Sequence, residues 1–201
     1  MSDSPPRDAK ERIYLATLAL IDEVGAERIT TRAIAAAAGV NVASINYYYR
    51  SKDILLAEVL KASWEHTIGD LRAFLAREPW DPAVCLGELA DYLLEGGLGH
   101  PMVTRAHFLG LDGGHGKGQL CSFGAGPGLR SLIEEIAGRL AAARGQPRDE
   151  ALVLRTASFV ASLVYPVLLP EAFPAIPTPG SLRLYRDIVL SEYLGRDDRP
   201  A

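Results

Sequence analysis

Four basic residues, Arg28, Arg32, Arg50 and Lys52, fall in a stretch that holds no acidic one. Hydroxyls and amides are interleaved with them: Thr30, Thr31, Asn41, Ser44, Asn46, Tyr47, Tyr48 and Tyr49. This mixture suits contact with a polyanion. Lysine and arginine displace counterions from phosphates, and the planar arginine fork matches the O6/N7 edge of guanine. The whole chain is acidic, with 21 basic against 25 acidic side chains, so the basic cluster is local. Charge alone would equally suit a solvated face on a small helical unit.

The elements needed to hold these groups are legible in the same stretch. Ile34, Ala37 and Ala38 can share one face of a short helix that begins at Thr30 or Thr31, either of which can cap it. Gly39 ends that helix, since glycine takes left-handed geometry at little cost. Val40 follows as a buried anchor, and Asn41 can cap a second helix over about 42–48. Val42, Ala43 and Ser44 are its exposed candidates. They are small enough for close approach to bases, with apolar contact to thymine methyls and one hydroxyl. Ile45 points into the core. Asn46 can pair with adenine or a phosphate oxygen. Tyr47, Tyr48 and Tyr49 diverge by about 100° per residue, so they cannot share one role. Tyr49 is expected in the core, with Tyr47 and Tyr48 offering hydroxyls to phosphates. Ser51 caps the next helix, and Lys52 lies in its first turn. This is the helix–corner–helix layout whose second helix enters the DNA major groove.

Residues 10–60 resemble the N-terminal domain of the tetracycline-repressor (TetR) family of transcriptional regulators. The shared features are K-E-R-I at Lys10–Ile13, the helix end at Val24-Gly25, T-T-R-A-I-A at Thr30–Ala35, A-G-V at Ala38–Val40 and I-N-Y-Y-Y-R-S-K-D at Ile45–Asp53. The family pattern usually has an aromatic residue where this chain has Asn46, and often phenylalanine where it has Tyr49. The resemblance implies that Thr31 contacts a phosphate and Arg32 a base edge. It also implies a homodimer paired through its last two long helices.

The rest of the chain is bounded more coarsely. Its 201 residues, 48% of them apolar, allow one or two compact domains. Cys85 and Cys121 are too few for a disulfide scaffold and lack metal-type spacing, which suits reduced thiols in a cytoplasmic protein. The N-terminus has no apolar signal core, and residues 1–8 are expected to be a disordered tail. A first helix over about 8–24, with a stripe of Ile13, Thr17, Leu20, Ile21 and Val24, braces the next two. A long helix over about 52–77 leads out of the first domain, and another follows over about 82–95. Residues 96–128 are glycine-rich, with a short helix over about 101–109. G-H-G-K-G at Gly114–Gly118 is not a phosphate loop, because Leu111 and Gly118 stand where Gly and Ser/Thr are required. The segment 110–128 reads as a loop, or as a flap beside a pocket.

Two further helices close the chain, over about 148–169 and 180–194. The run Thr156–Pro170 is uncharged, too short for a bilayer span and interrupted by Pro166, so no membrane span is expected. A helix apolar all round must be covered all round. Ala157, Ser158, Ala161 and Ser162, with Leu182, Tyr185, Ile188 and Val189 of the last helix, are therefore assigned to a subunit interface.

The expected fold is all-α: a three-helix helix-turn-helix DNA-binding domain over 8–55, with its motif at about 30–49, and a helical ligand-binding and dimerisation domain over 56–201. The expected function is a homodimeric, non-enzymatic regulator, read as a repressor released from a near-palindromic operator by a small-molecule effector. The DNA contacts are assigned to Thr31, Arg32, Asn41, Val42, Ala43, Ser44, Asn46, Tyr47, Tyr48 and Lys52. Pocket candidates are Trp64, Phe74, Tyr92, His100, Met102, His107, Phe108 and Tyr165. No catalytic residue, cofactor or metal is assigned. Two other readings stand beside this one. The first is a metal-responsive regulator or metalloenzyme using His66, His100, His107, His115 and Cys121. The second is a helical interaction module whose corner motif only packs.

Overall fold

The structure is a computed structural model describing residues 8–109, 127–174, 176 and 178–195. The tail 1–7, most of the glycine-rich segment, His115 and Cys121 lie outside the described residues. Those described form α-helices and short 3-10 turns, without a strand among them. The helices are α1 (Ala9–Val24), α2 (Thr31–Ala38), α3 (Val42–Tyr49), α4 (Lys52–Leu75), α5 (Pro82–Gly99), α6 (Pro101–Leu109), α7 (Pro127–Ala143), α8 (Glu150–Leu168) and α9 (Pro179–Leu194).

The first three helices start and stop where local chemistry dictates. Thr30 Oγ1 accepts from Ala33 N–H at 3.1 Å, so Thr30 rather than Thr31 is the cap of α2. Gly39 adopts φ 63° and ψ 39°, and Val40 N–H closes the helix end on Ala35 C=O at 3.0 Å. Asn41 Oδ1 accepts from Ser44 N–H at 2.7 Å and caps α3, and Ser51 caps α4 in the same way. Ile13, Ile21, Ile34, Ala35, Ala38, Ile45, Tyr49, Leu55, Val59 and Leu60 share one core. Within α2, Ala35 takes the buried place expected of Ala37, which is exposed. The α2 face turned to α1 therefore lies one helical step from the one read from spacing.

Helix α4 has 24 residues, about 36 Å at 1.5 Å each. Its first half packs in this core, and Trp64, Ile68, Leu71 and Leu75 enter a second one. The second core is built with α5, α7, α8 and α9 around Leu86, Leu89, Leu94, Leu132, Ile136, Leu140, Phe159 and Leu163. Helix α7 has no counterpart among the sequence expectations, although Leu132, Ile136 and Leu140 recur at helical spacing. Helix α5 runs on past Glu95 to Gly99. A side chain at Gly97 would meet Val167 Cγ2 at 2.8 Å, so the glycine lets α5 and α8 approach closely.

Helix α8 is long and apolar enough to cross a bilayer, but Leu152, Phe159, Val160, Leu163, Val164 and Val167 are buried in the body. Buried Thr156 bonds the Tyr193 hydroxyl of α9 at 2.6 Å. Pro166 has no N–H, which leaves the Ser162 carbonyl without its helical donor. Tyr185 of α9 donates its hydroxyl to that carbonyl at 2.7 Å. The proline is thus accommodated inside α8 by a bond from the neighbouring helix.

Candidate DNA-binding face and ligand cavity

Helix α3 sorts its side chains cleanly. Ile45 is 0% exposed and Tyr49 3%, both fixed in the core. Val42, Ala43, Asn46, Tyr47 and Tyr48 point outward. Tyr47 is 82% exposed, so its ring contributes almost nothing to folding. It sits edge-on to Tyr48 with centroids 5.2 Å apart. Ser44 is half-buried, and its hydroxyl is tied to Asn41 Oδ1 at 3.1 Å. Asn41 and Ser44 therefore build the start of α3 and present less to a ligand than their neighbours do.

The basic residues divide into two kinds. Arg28, Arg32 and Arg50 are exposed and enter none of the ion pairs among the described residues. Thr31 is half-buried beside Arg32 at the start of α2. Lys52 is half-buried, and its Nζ donates to the Ile29 carbonyl at 3.2 Å. It braces the segment leading into α2, a role that sequence spacing did not suggest.

A cavity of about 650 Å³ lies where α1, α4, α5, α6 and α8 meet. Five of the sequence candidates line it: Trp64, Tyr92, His100, His107 and Phe108. Three do not. Phe74 packs on Tyr92 and under Arg77, Met102 lies against Gly25 at the end of α1, and Tyr165 is exposed on the outer face of α8. Sequence reading missed the wall supplied by α1, namely Leu15, Leu18, Ala19, Asp22 and Glu23. Amphipathic periodicity assigns such residues to a helix, not to a neighbour four helices away.

The polar groups of this cavity are specific. Asp22 reaches from α1 to the start of α6, accepting from His100 Nδ1 at 3.0 Å and from Met102 N–H at 3.3 Å. A carboxylate at a helix N-terminus is favourably placed. Burial, reinforced by the hydrogen bond to Asp70, pushes Tyr92 up to about 12, and its hydroxyl donates to Asp70 at 2.7 Å. His107 is 5% exposed and packs edge-on to Trp64 at 5.4 Å. Burial drops its pKa to about 4, against a smaller opposing pull from the Leu60 carbonyl. Its Nε2 is buried and has no hydrogen-bond partner among the described residues.

On the outer side of the body, Leu154 and Tyr165 of α8, Leu169 just beyond it, and Leu184 and Ile188 of α9 are exposed. Ser158 is exposed, and Ala157, Ala161 and Ser162 are half-buried along the same helix. Leu182, Tyr185 and Val189 pack half-buried against the body's own core, so α9 turns a different edge outward from the one assigned, Ile188 excepted. Among the described residues, no three His, Cys, Asp or Glu side chains are placed to hold a metal ion.

This architecture defines a helix-turn-helix domain carried by a helical body that encloses a cavity. Residues 13–59 match the family described as "Bacterial regulatory proteins, tetR family". The matched segment is the N-terminal helix-turn-helix unit, and over more than nine-tenths of its length the chain shares the fold of solved transcriptional regulators. The fatty acid degradation regulator FadR of Bacillus halodurans superposes with a TM-score of 0.72 at 18% identity, over 92% of this chain and 98% of that one. FadR of Bacillus subtilis, solved with stearoyl-CoA, gives 0.72 at 15% identity, over 92% and 97%. A TetR transcription regulator of Haloarcula marismortui gives 0.70 at 23% identity, over 93% and 96%. Among curated proteins no sequence matches the chain.

Proposed function

We propose that the protein is a homodimeric, non-enzymatic DNA-binding regulator, working in the cytoplasm as a repressor that a small effector releases from its operator. The observation that carries this reading is the outer face of α3. It exposes Val42, Ala43, Asn46 and Tyr47, and Arg28, Arg32 and Arg50 of the segments adjoining it in sequence are exposed as well, in a chain of net charge −4. Small residues let α3 sit deep in a major groove, and the cations flank it where phosphates run. Thr31, Tyr48 and Lys52 would add phosphate contacts, and Asn46 an adenine or phosphate contact.

Two copies would place two such helices about 34–36 Å apart, the spacing of successive major grooves, on a near-palindromic site. The exposed apolar residues Leu154, Tyr165, Leu184 and Ile188, with Ser158 and Ala161 between, supply a face that a second copy would cover. The relative from B. subtilis is solved with stearoyl-CoA. The corresponding expectation here is an effector with an apolar body in the cavity. Because α1 forms one wall, such a molecule would press directly on the helix that braces α2 and α3. Helix α4, shared by both cores, would carry the movement. Release follows only if the effector prefers the conformation that does not fit the operator.

The test is selection of duplexes from a random pool by the full-length protein, followed by titration over a range of salt. A palindromic consensus and a steep salt slope are expected. Replacing Arg32 by Ala should cost about 1–3 kcal/mol and relax preference at one base pair. Equal loss on every sequence would remove the base-reading role, and salt-independent, sequence-blind binding would remove the whole reading.

A further inference from the structure

His107 Nε2 is a polar atom buried in the wall of an otherwise largely apolar cavity, and no group among the described residues answers it. An orphaned buried acceptor or donor forfeits its hydration without replacement, so a site that keeps one is disposed to take its partner from a ligand. Leu15, Leu18, Val103, Phe108 and Val164 line the same space, and no lysine or arginine does among the described residues. The acidic side chains among the described lining are Asp22 and Glu23. Asp22 is already engaged by His100 and Met102.

The protonation of the ring fixes what that partner is. Burial keeps His107 neutral at physiological pH. The ring proton is assigned to the nitrogen facing the Leu60 carbonyl, which leaves Nε2 as a bare lone pair. A lone pair recognises a donor and repels a carboxylate or phosphate oxygen. An anion would also enter beside the Glu23 carboxylate, with no lysine or arginine among the described lining residues to replace its hydration.

We propose that the cavity selects a mainly apolar, non-anionic molecule carrying a hydroxyl or N–H group, and that His107 Nε2 accepts from that group. This rests on the reading of the cavity as the effector site and narrows its occupant. A long-chain alcohol, a phenol or an amide meets the description, whereas a free fatty acid does not. Trp64, in contact with the His107 ring, reports occupancy.

The experiment is titration of the full-length protein, without DNA, by Trp fluorescence at pH 7.5. Three probes share one chain: 1-dodecanol, dodecyl methyl ether and dodecanoate, each below its aggregation limit. Dodecanol should bind roughly tenfold more tightly than the ether, in which a methyl group replaces the donated hydrogen, and dodecanoate should bind more weakly than dodecanol. In His107→Phe the alcohol and the ether should bind alike. In His107→Gln, which retains a carbonyl acceptor, part of the preference should return. Should the Phe variant fail to fold, the wild-type ranking and the Gln variant decide. Dodecanoate binding as tightly as dodecanol would overturn the proposed selectivity while leaving the cavity as a ligand site. So would an ether as good as the alcohol. Failure of all three to bind would remove the effector site itself, and with it this proposal. Because no DNA is present, a defect in operator binding cannot be mistaken for any of these results.

Discussion

The outer face of α3 and the wall of the cavity treat charge in opposite ways. Around α3, arginines stand exposed and outside the ion pairs of the described residues, while carboxylates are absent from the whole stretch between Arg28 and Lys52. In the cavity, lysine and arginine are missing from the described lining, the carboxylates Asp22 and Glu23 belong to it, and the buried histidine is neutral. One surface is built for a polyanion and the other against anions. An acidic chain with a net charge of −4 thus confines its attraction for nucleic acid to one end. The contrast also separates two kinds of side chain on the binding domain, those that hold α3 in place and those that α3 presents.

The largest effect expected from breaking that separation is at Ile45, which is 0% exposed. Ile45→Ala should cost about 2–5 kcal/mol of stability, by cavity formation beneath α3. Val42→Ala, at a position 37% exposed, should change stability by less than about 0.5 kcal/mol while weakening operator binding. Chemical denaturation paired with DNA titration reads both. If Val42→Ala proved the more destabilising of the two, the assignment of inner and outer faces to α3 would be reversed.

The next effect sharpens the cavity side. His107 has its pKa lowered to about 4 from an ordinary 6.5, so the folded state binds fewer protons than the unfolded chain between those values. Its contribution is therefore fully present above pH 6.5 and drains away as pH falls towards 4. Between pH 7.5 and 5 the loss amounts to about 2 kcal/mol. Denaturation of the ligand-free protein should show a steeper acid slope than that of His107→Gln, by about this amount. Equal slopes would mean the ring is protonated or solvated in the native state, and the lone pair invoked above would not exist.

Short-range chemistry is the part of this molecule that sequence conveys well. Thr30, Asn41 and Ser51 cap the helices they precede, Gly39 turns the corner, and Ile45 and Tyr49 face inward, because each depends on residues within a turn or two. What escapes is whatever a distant segment decides. The spacing of α9 allows several edges to face out, and packing on the body settles that Leu184 and Ile188 are exposed while Leu182, Tyr185 and Val189 are half-covered. The aromatics Trp64, His107 and Phe108 could be nominated for a cavity by type, but Phe74 and Tyr165 were nominated on the same ground and lie elsewhere. The α1 wall and the Asp22 link to His100 join residues far apart in the chain, and no local pattern announces them.

Lys52 and Arg50 carry the comparison to its smallest expected effect. Both belong to the basic cluster of the sequence, and Lys52 alone of the two is assigned there to a DNA contact. Yet Lys52 is half-buried and donates to the Ile29 carbonyl, 23 residues earlier, whereas Arg50 is exposed and forms none of the ion pairs described. An ammonium has three donors, so a bond to Ile29 leaves two that can still reach a phosphate. Lys52→Met should therefore lower stability by about 1 kcal/mol and also flatten the logarithmic salt slope by about one unit. Arg50→Met keeps the same non-glycine backbone at φ 61° and removes only the exposed charge. It should flatten the slope by a similar amount with stability nearly unchanged. Measuring both quantities on both variants separates a cation that builds the binding surface from one that only faces the ligand. A Lys52→Met protein as stable as the wild type would reduce the Ile29 bond to an incidental contact and return Lys52 to the class of Arg50.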